Sequence, residues 1–445
     1  MQWITPFVAA TAALFAVPPA LGQEALPRPD PEFGGTIGRT YEESEPDYPQ
    51  PVRAPANSPN VLIVLLDDLG TDKVSAYREH PDAPPTPVID ALADQGMLFR
   101  NAYASPVCSP SRAALLTGRH GQRYGLGDTV ETGDAYQVPL DEVFLPERLG
   151  DMGYGSVALG KWHLAHPDSR SYLRHPERAG FDAFAGTMRN FNPDEFDYTR
   201  WEKVVDGSRS VVTTYATTDT FDDAIEAVRT LPEPWLAYVA PQAPHSPWHV
   251  PPDPLNLAGV TAADDDLTKY DAMVRAADAE LGRLLAEVDL ATTCVFVLGD
   301  NGTPRQATTP PFDPNGAKTK MAEGGIGVPL VVAGPTVAPG TETGALAHVV
   351  DVFATVAELA GADVSDLELD GVSLVDTLVD PGLERRAFVY VERFGDAGLS
   401  PEVGWTGRRC AMCAGSSCGW WTGWRRCTTW RGGWTTGRTC WRRGR

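Results

Sequence analysis

Uninterrupted apolar runs recur along the chain, and each ends at a glycine or a polar turn. A strand that is covered by helices on both faces of a parallel sheet has such a continuous run, whereas a half-exposed strand alternates apolar and polar residues. The runs therefore predict buried strands of a mainly parallel sheet. They occupy residues 60–66, 153–160, 235–240, 293–298 and 328–333.

Segments with the spacing of an amphipathic helix lie between these runs. Alternation of buried strands and amphipathic helices is typical of an α/β domain with helices on both faces of the sheet. We therefore expect a large mixed, mainly parallel sheet sandwiched by helices. The predicted helices cover residues 86–93, 144–149, 218–229, 270–288 and 350–359.

Acidic residues follow the first apolar run directly. Asp67 and Asp68 stand at the carboxyl end of the predicted strand, which is the edge where open α/β sheets bind ligands. Adjacent acidic residues usually form a solvated turn, but a hard divalent cation requires oxygen ligands on a rigid element. This pair is therefore a candidate metal site.

The segment 107–119 combines a cysteine with a predicted helix start. Pro110 suits the first turn of a helix, and Gly118 suits its end. Cys108 would then lie at a helix N-terminus, where unpaired N–H groups favour negative charge, with Arg112 one turn further on. Two interpretations fit this placement: a reactive thiol in an electropositive environment, or a small buried thiol in a helix cap.

The complete motif favours a catalytic interpretation. Cys-Ser-Pro-Ser-Arg at 108–112, followed by Ala-x-Leu-x-Thr-Gly-Arg, resembles the signature of type I sulfatases, which belong to the alkaline phosphatase superfamily. The resemblance covers roughly residues 59–393. It implies an alkaline-phosphatase-like fold and a Cys108 that a separate formylglycine-generating enzyme oxidises to formylglycine. The hydrated aldehyde is the nucleophile in that family.

The resemblance also implies a calcium site. Asp67 and Asp68 match the family's first metal-binding pair, and Asp300-Asn301, at the end of the 293–298 run, match the second half. These residues, with position 108, would surround Ca²⁺. Buried carboxylates at this density would repel one another strongly without a metal.

Three further motifs resemble the family's sulfate-binding residues. Gly-Lys-Trp-His supplies Lys161 and His163, and Pro-His-x-Pro supplies His245, with His249 as the weaker candidate. The spacing Lys-x-x-x-x-Glu-Gly-Gly selects Lys318 as the lysine that binds sulfate. Lys320 is the weaker candidate, because lysines in loops are usually solvated. The implied catalytic set is Cys108, Arg112, Lys161, His163, His245 and Lys318.

The implied reaction is hydrolysis of an aryl or carbohydrate sulfate ester to an alcohol and sulfate. A phosphonate monoester or phosphodiester hydrolase of the same superfamily is the alternative enzyme. An inactive, truncated sulfatase is the third possibility. The net charge of −22 excludes nucleic acid as the expected partner and would repel an anionic substrate at long range, so a local positive pocket is required.

The N-terminal region predicts export. Residues 1–22 contain an apolar stretch that is too short to span a bilayer and that ends in small residues, as in a signal peptide, although the first five residues lack Lys and Arg. No other segment predicts stable membrane insertion, so we expect a periplasmic or secreted protein. Residues 23–58 predict an extended arm, and residues 59–384 the catalytic domain.

The C-terminal region changes composition abruptly. The family would begin a smaller antiparallel subdomain at residues 385–405, with a strand near 388–392. Residues 406–445 instead contain nine Arg, five of the chain's seven Cys and no Leu, Ile, Val, Asp, Glu or Lys. We interpret this tail as a frameshift product, because a shifted reading of GC-rich codons for 409–424 permits a sulfatase-like peptide. A zinc module is the alternative, with irregularly spaced ligands at Cys410, Cys413, Cys418, Cys427 and Cys440.

Overall fold

A ten-stranded sheet forms the centre of the fold. The computed structural model describes residues 34–47, 54–55, 57–131, 135–395, 425–427 and 440–442. The strands of the central sheet, in chain order, are β1 Asn60–Leu66, β2 Met97–Tyr103, β3 Gly155–Lys161, β4 Ala183–Thr187, β5 Trp201–Val205, β6 Ser208–Val212, β7 Trp235–Ala240, β8 Thr293–Gly299, β9 Leu330–Ala333 and β10 Thr341–His348.

The sheet is mixed, and its centre is parallel. The spatial order is β10-β2-β9-β8-β1-β7-β3-β4-β5-β6. Strands β8, β1, β7, β3 and β4 run parallel to one another, whereas β9 and the β5–β6 hairpin pair antiparallel with their neighbours. The predicted α/β sheet is therefore confirmed, and each of the five apolar runs overlaps one of its strands.

Helices cover both faces of the sheet. Alternate residues of β1 enter opposite cores, with Val61, Ile63 and Leu65 in one and Leu62 and Val64 in the other. All five predicted helices are confirmed within a few residues at their ends. The α-helices are α1 Pro87–Gln95, α2 Cys108–Thr117, α3 Leu145–Gly150, α4 His175–Arg178, α5 Ala216–Thr230, α6 Asp266–Leu285, α7 Glu323–Ile326, α8 Asp351–Ala360 and α9 Val375–Val379.

The start of α1 is stabilised differently from what its sequence suggests. Thr86 precedes α1 but makes no capping hydrogen bond to it. Instead, the Asp278 carboxylate from α6 accepts hydrogen bonds of 3.0 Å from both Val88 N and Ile89 N. The unpaired N–H groups of α1 are thus satisfied by the neighbouring helix.

The strand expected near 388–392 is absent from the described residues. This segment is held by side chains instead. Arg386 pairs with Asp351, and Val389 and Val391 pack in a small apolar cluster with Tyr103. A strand requires backbone pairing with a neighbour, and the segment makes tertiary contacts in its place.

Short parts of the two chain ends are described. Within residues 1–51, which form a separate unit, the described part contains a short 3₁₀ turn at Tyr41–Glu43. The predicted signal peptide and most of the 406–445 tail lie outside the described residues. Within the tail, β11 Arg425–Cys427 pairs antiparallel with β12 Cys440–Arg442. Across the described ranges, no helix has the length and apolar character needed to cross a membrane.

Candidate active site

The carboxyl ends of β1 and β8 bring two acidic loops together. The two strands pair in parallel register with Leu66 opposite Gly299, so the residues that follow them emerge side by side. The Asp68 backbone N–H donates a 3.1 Å hydrogen bond to Asp300 Oδ1, and Asp68 adopts a left-handed conformation with φ of 69°. The loops are therefore joined at the sheet edge.

Cys108 lies directly against these loops. It is the first residue of α2, and its buried thiol donates to Asp67 Oδ1 over 3.4 Å, while Lys318 Nζ donates to Sγ over 3.6 Å. Burial and the neighbouring Asp300 and Asp67 raise the pKa of Cys108 well above its usual value. Burial and the two carboxylates disfavour the thiolate, so of the two interpretations of the unmodified residue the buried thiol is favoured.

Arg112 connects α2 to both strand ends. Its Nε and Nη2 atoms donate to Asp300 Oδ2 over 3.1 and 2.8 Å, and Nη1 donates to the Lys161 carbonyl over 2.8 Å. Nη2 also lies 3.5 Å from Asp67 Oδ2. The guanidinium and both carboxylates are fully buried, so this ion pair is well shielded from solvent.

Lys161, the last residue of β3, and His163, in the loop that follows, also belong to this region. Lys161 Nζ donates to Asp67 Oδ2 and to Asn190 Oδ1, each over 2.5 Å. His163 is buried, and its Nε2 lies 3.5 Å from Glu131 Oε2. Burial and the positive charge of Lys161 lower the pKa of His163 to about 4, so the neutral imidazole predominates at neutral pH.

His245 and Lys318 both lie beside Asp68. His245 Nε2 lies 3.8 Å from Asp68 Oδ2, and Lys318 Nζ forms an ion pair with Asp68 Oδ1. Burial lowers the pKa of His245 below its ordinary value. Both side chains are partly exposed, His245 by 13% and Lys318 by 16%.

The buried carboxylates have unlike acidities. Burial by itself would raise the pKa of Asp67, but Lys161, His245 and Arg112 together hold it well below its usual range. Burial and the negative charge of Asp67 raise the pKa of Asp300. Asp300 is therefore the stronger base of the two.

The acidic loops have the donor atoms that a divalent cation requires. One ligand atom from each of Asp67, Asp68, Cys108 and His245 lies within 4.8 Å of the others. Asn301 Nδ2 donates to Asp68 Oδ1 over 2.8 Å, and the buried Asn301 Oδ1 has no hydrogen-bond partner. A buried amide oxygen without a partner is costly unless a cation binds it. The predominantly oxygen donor set fits Ca²⁺.

The family follows from a comparison with known proteins. A family model described as Sulfatase matches residues 59–362, which includes both acidic loops and the Cys108 helix. The chain belongs to the sulfatase family. Its relatives hydrolyse sulfate esters, and this sulfatase is an enzyme of that class.

The similarity to individual relatives covers more of the chain than the family model does. This sulfatase is 31% identical over 386 residues to N-acetylgalactosamine-6-sulfatase from Homo sapiens, covering 78% of this chain and 70% of the relative. It is 31% identical over 373 residues to arylsulfatase A from Bos taurus, covering 76% and 71%.

Solved structures show the same architecture. The structure of Ps i-CgsB in complex with k-i-k-neocarrahexaose superposes with a TM-score of 0.67 at 28% identity, covering 76% of this sulfatase and 80% of that chain. The PsFucS1 sulfatase from Pseudoalteromonas sp. superposes with a TM-score of 0.61 at 26% identity, covering 75% and 74%. The alkaline-phosphatase-like α/β fold is therefore confirmed.

The structure brings most of the expected site residues into one contiguous cluster. His163 is the exception, since the carboxylate beside its ring, 3.5 Å from Nε2, is that of Glu131. His249 lies in an aromatic group instead, 4.4 Å from the Tyr198 ring centroid and 3.0 Å from the Tyr215 hydroxyl, while Lys320 is exposed. The members of the cluster are Asp67, Asp68, Cys108, Arg112, Lys161, His245, Asp300, Asn301 and Lys318.

Three residues beside the site escaped the sequence reasoning. Glu131 and Asn190 belong to loops without a recognisable motif. Tyr270 has the spacing of a core residue of α6, yet its hydroxyl donates to the Asp68 carbonyl over 2.7 Å. Only the tertiary fold brings these residues to the sheet edge, so local patterns carry no signal for them.

Proposed function

We propose that this sulfatase cleaves a carbohydrate or aryl sulfate ester through a formylglycine formed from Cys108, with Ca²⁺ bound at the two acidic loops. The observation that carries the proposal is the placement of Cys108 Sγ between Asp67 Oδ1 and Lys318 Nζ, at 3.4 and 3.6 Å. A group at this position faces the metal cluster and a cation suited to sulfate.

The acidic loops supply the proposed calcium ligands, namely Asp67, Asp68, Asp300 and Asn301 beside position 108. Bound Ca²⁺ would neutralise the clustered carboxylates and polarise a sulfate oxygen. The partnerless Asn301 Oδ1 and the mutual proximity of the acidic ligand atoms support this assignment.

Cys108 is poorly suited to act as a thiolate nucleophile. Its pKa is raised, so the thiol stays protonated at neutral pH, and nucleophilic attack by cysteine requires the thiolate. A hydrated formylglycine supplies two hydroxyl groups on one carbon, one for attack on sulfur and one whose deprotonation expels sulfate. A formylglycine-generating enzyme is therefore the expected maturation partner.

The surrounding side chains can handle the protons and the charge of this reaction. Asp300 accepts a proton from the attacking hydroxyl, and His245 or Lys318 donates one to the departing alcohol oxygen. Neutral His163 accepts the proton whose loss releases sulfate. Lys161, which is buried and fixed by two hydrogen bonds, stabilises the developing negative charge.

Carbohydrate sulfates are the favoured substrate class. One relative is named for N-acetylgalactosamine 6-sulfate, and a similar structure contains a carrageenan-type oligosaccharide. Aryl sulfates remain useful as reporters because their leaving groups are chromogenic.

The activity test uses the full chain produced with a formylglycine-generating enzyme and supplied with Ca²⁺. We expect hydrolysis of 4-nitrophenyl sulfate and of a sulfated monosaccharide, and much slower cleavage of 4-nitrophenyl phenylphosphonate. Cys108→Ala should abolish sulfate release, whereas Cys294→Ala, at the other cysteine in the described core, should retain it. Faster phosphonate than sulfate cleavage would support the phosphonate hydrolase instead.

Export is proposed on the apolar segment at residues 1–22. Cell fractionation and N-terminal sequencing should find the mature protein outside the cytoplasm, beginning at Gln23. A cytoplasmic protein that retains these residues would contradict this proposal.

A further inference from the structure

Glu131 and Asn190 connect the side chains of Lys161, at the end of β3, and His163, in the loop that follows. The Glu131 carboxylate accepts hydrogen bonds from Asn190 Nδ2 over 2.9 Å and from Asn190 N over 3.2 Å. Asn190 Oδ1 in turn accepts from Lys161 Nζ over 2.5 Å. Glu131 Oε2 also lies 3.5 Å from His163 Nε2. Asn190 thus contacts Lys161, Glu131 lies beside His163, and the two residues are hydrogen-bonded to each other.

We propose that Glu131 and Asn190 are positioning residues that act as a clamp, which we call the Glu131–Asn190 clamp. Within the proposed function, on which this inference rests, Asn190 aligns Lys161 for sulfate and Glu131 orients His163 for proton transfer. Neither residue belongs to a motif that identified the site.

The backbone shows why such a clamp is needed. After β3, Trp162 N donates to Thr187 O over 2.9 Å and His163 N donates to Met188 O over 3.2 Å. His163 has φ of 60°, a left-handed conformation that a histidine adopts at a cost. These bonds fix the backbone of the loop but leave the imidazole without a hydrogen bond. Glu131 is the carboxylate that faces this ring.

Electrostatics give Glu131 a role beyond packing. The charged groups that face His163 are Glu131, Lys161 and Arg112, and the two cations disfavour protonation of the imidazole. His163 and Lys161 hold the pKa of Glu131 far below its ordinary value against the effect of burial, so the carboxylate is ionised at neutral pH. An ionised carboxylate 3.5 Å from Nε2 favours the tautomer that carries its proton on Nε2 and its lone pair on Nδ1.

Glu131 is also unlike a buried structural carboxylate. About 30% of its side chain is exposed, so replacing it with an isosteric amide leaves no buried charge without a partner. Glu131→Gln therefore removes the negative charge with little expected change in the fold.

The test compares wild type, Glu131→Gln and Glu131→Asp in preparations with equal formylglycine content. Glu195→Gln is the matched control, because Glu195 is an exposed carboxylate paired with Arg189 in the loop beyond Asn190. We expect Glu131→Gln to lower kcat about 10- to 100-fold, the usual cost of losing a carboxylate that orients a histidine, with a smaller change in KM. Glu131→Asp should recover part of the loss, and the control should match wild type.

The pH profile separates positioning from a structural role. Loss of Glu131 removes the interaction that favours protonated His163, so the acidic limb of kcat should move to lower pH as the plateau falls. Asn190→Ala should raise KM more than Glu131→Gln does, since Lys161 loses a partner. If Glu131→Gln has a lower melting temperature than wild type, the pH profile of Glu131→Asp shows whether Glu131 positions His163.

Two failures are distinguishable. An inactive wild type that contains formylglycine would overturn the proposed function. An active wild type whose kcat and acidic limb survive unchanged in Glu131→Gln would overturn the clamp alone.

Discussion

The ion pair between Arg386 and Asp351 provides a quantitative test of how the C-terminal segment is attached. Arg386 Nε donates to Asp351 Oδ2 over 2.6 Å, Nη2 contacts Oδ1, and Nη2 also donates to the Asp370 carbonyl over 3.0 Å. The Asp351 side chain is fully buried, and that of Arg386 is 9% exposed. Arg386→Met therefore leaves a buried carboxylate without its cation.

The expected cost is set by what Asp351 retains. Removing one partner of a buried ion pair costs about 3–5 kcal/mol. The carboxylate still accepts hydrogen bonds from His348 N and Val372 N, so we expect the lower end, about 3 kcal/mol of unfolding free energy. With roughly 2 cal/mol/K of unfolding entropy per residue, this lowers the melting temperature by about 3–4 °C.

The neighbouring Arg385 supplies the control. It pairs with Asp376 over 2.7 Å, but the two side chains are 45% and 54% exposed. Exposed pairs contribute about 0–1 kcal/mol, so Arg385→Met should shift the melting temperature by about 1 °C or less.

The difference between the two variants should depend on pH. Burial raises the pKa of Asp351 even beside Arg386, and loss of the cation raises it further. A carboxyl whose pKa is higher in the folded protein favours folding at low pH, and this contribution is lost as the pH rises through the folded pKa. Differential scanning fluorimetry from pH 4 to 7.5 should therefore show a gap that widens with pH. Equal melting curves for Arg386→Met and Arg385→Met at neutral pH would refute this reasoning.

Other perturbations have separate expected outcomes. Chelation should abolish sulfate release and lower the melting temperature, because the clustered carboxylates repel one another without a cation; Ca²⁺ should restore both, and recovery of neither would contradict the metal assignment. Arg393 Nη1 donates to the Thr319 carbonyl over 2.5 Å beside Lys318, so Arg393→Met should raise KM about 2- to 10-fold with little change in kcat; an unchanged KM in steady-state assays would argue against it. Burial raises the pKa of Asp278 to about 6, so its contribution to stability is lost as the pH rises through that value. Thermal melting of Asp278→Asn should improve relative to wild type between pH 5 and 7, and parallel curves would contradict this.

The sequence predicted the strands that are covered on both faces. The apolar runs of β1, β7 and β8 are continuous because every residue of these strands is buried. A strand that is covered on both faces shows such a run in its sequence and can therefore be predicted. The β5–β6 hairpin was not among the predicted strands. Strand β6, Ser208–Val212, is almost entirely exposed, so its residues have no apolar pattern.

The site also divides into residues that a local motif predicts and properties that depend on the tertiary fold. Residues within motifs, such as Asp67 and Lys161, could be chosen because their spacing is recognisable. The acidity of the Cys108 thiol could not, since it depends on burial and on a carboxylate almost 200 residues away. Glu131 and Asn190 act through contacts between loops, which no local pattern encodes.

The most direct test of the account relates the rate to the modification at position 108. Preparations made with and without a formylglycine-generating enzyme can be compared by mass spectrometry of the Cys108 peptide and by the initial rate of 4-nitrophenyl sulfate hydrolysis. The account predicts a rate proportional to the formylglycine fraction, with none from the unmodified chain. A rate that is independent of that fraction would contradict it.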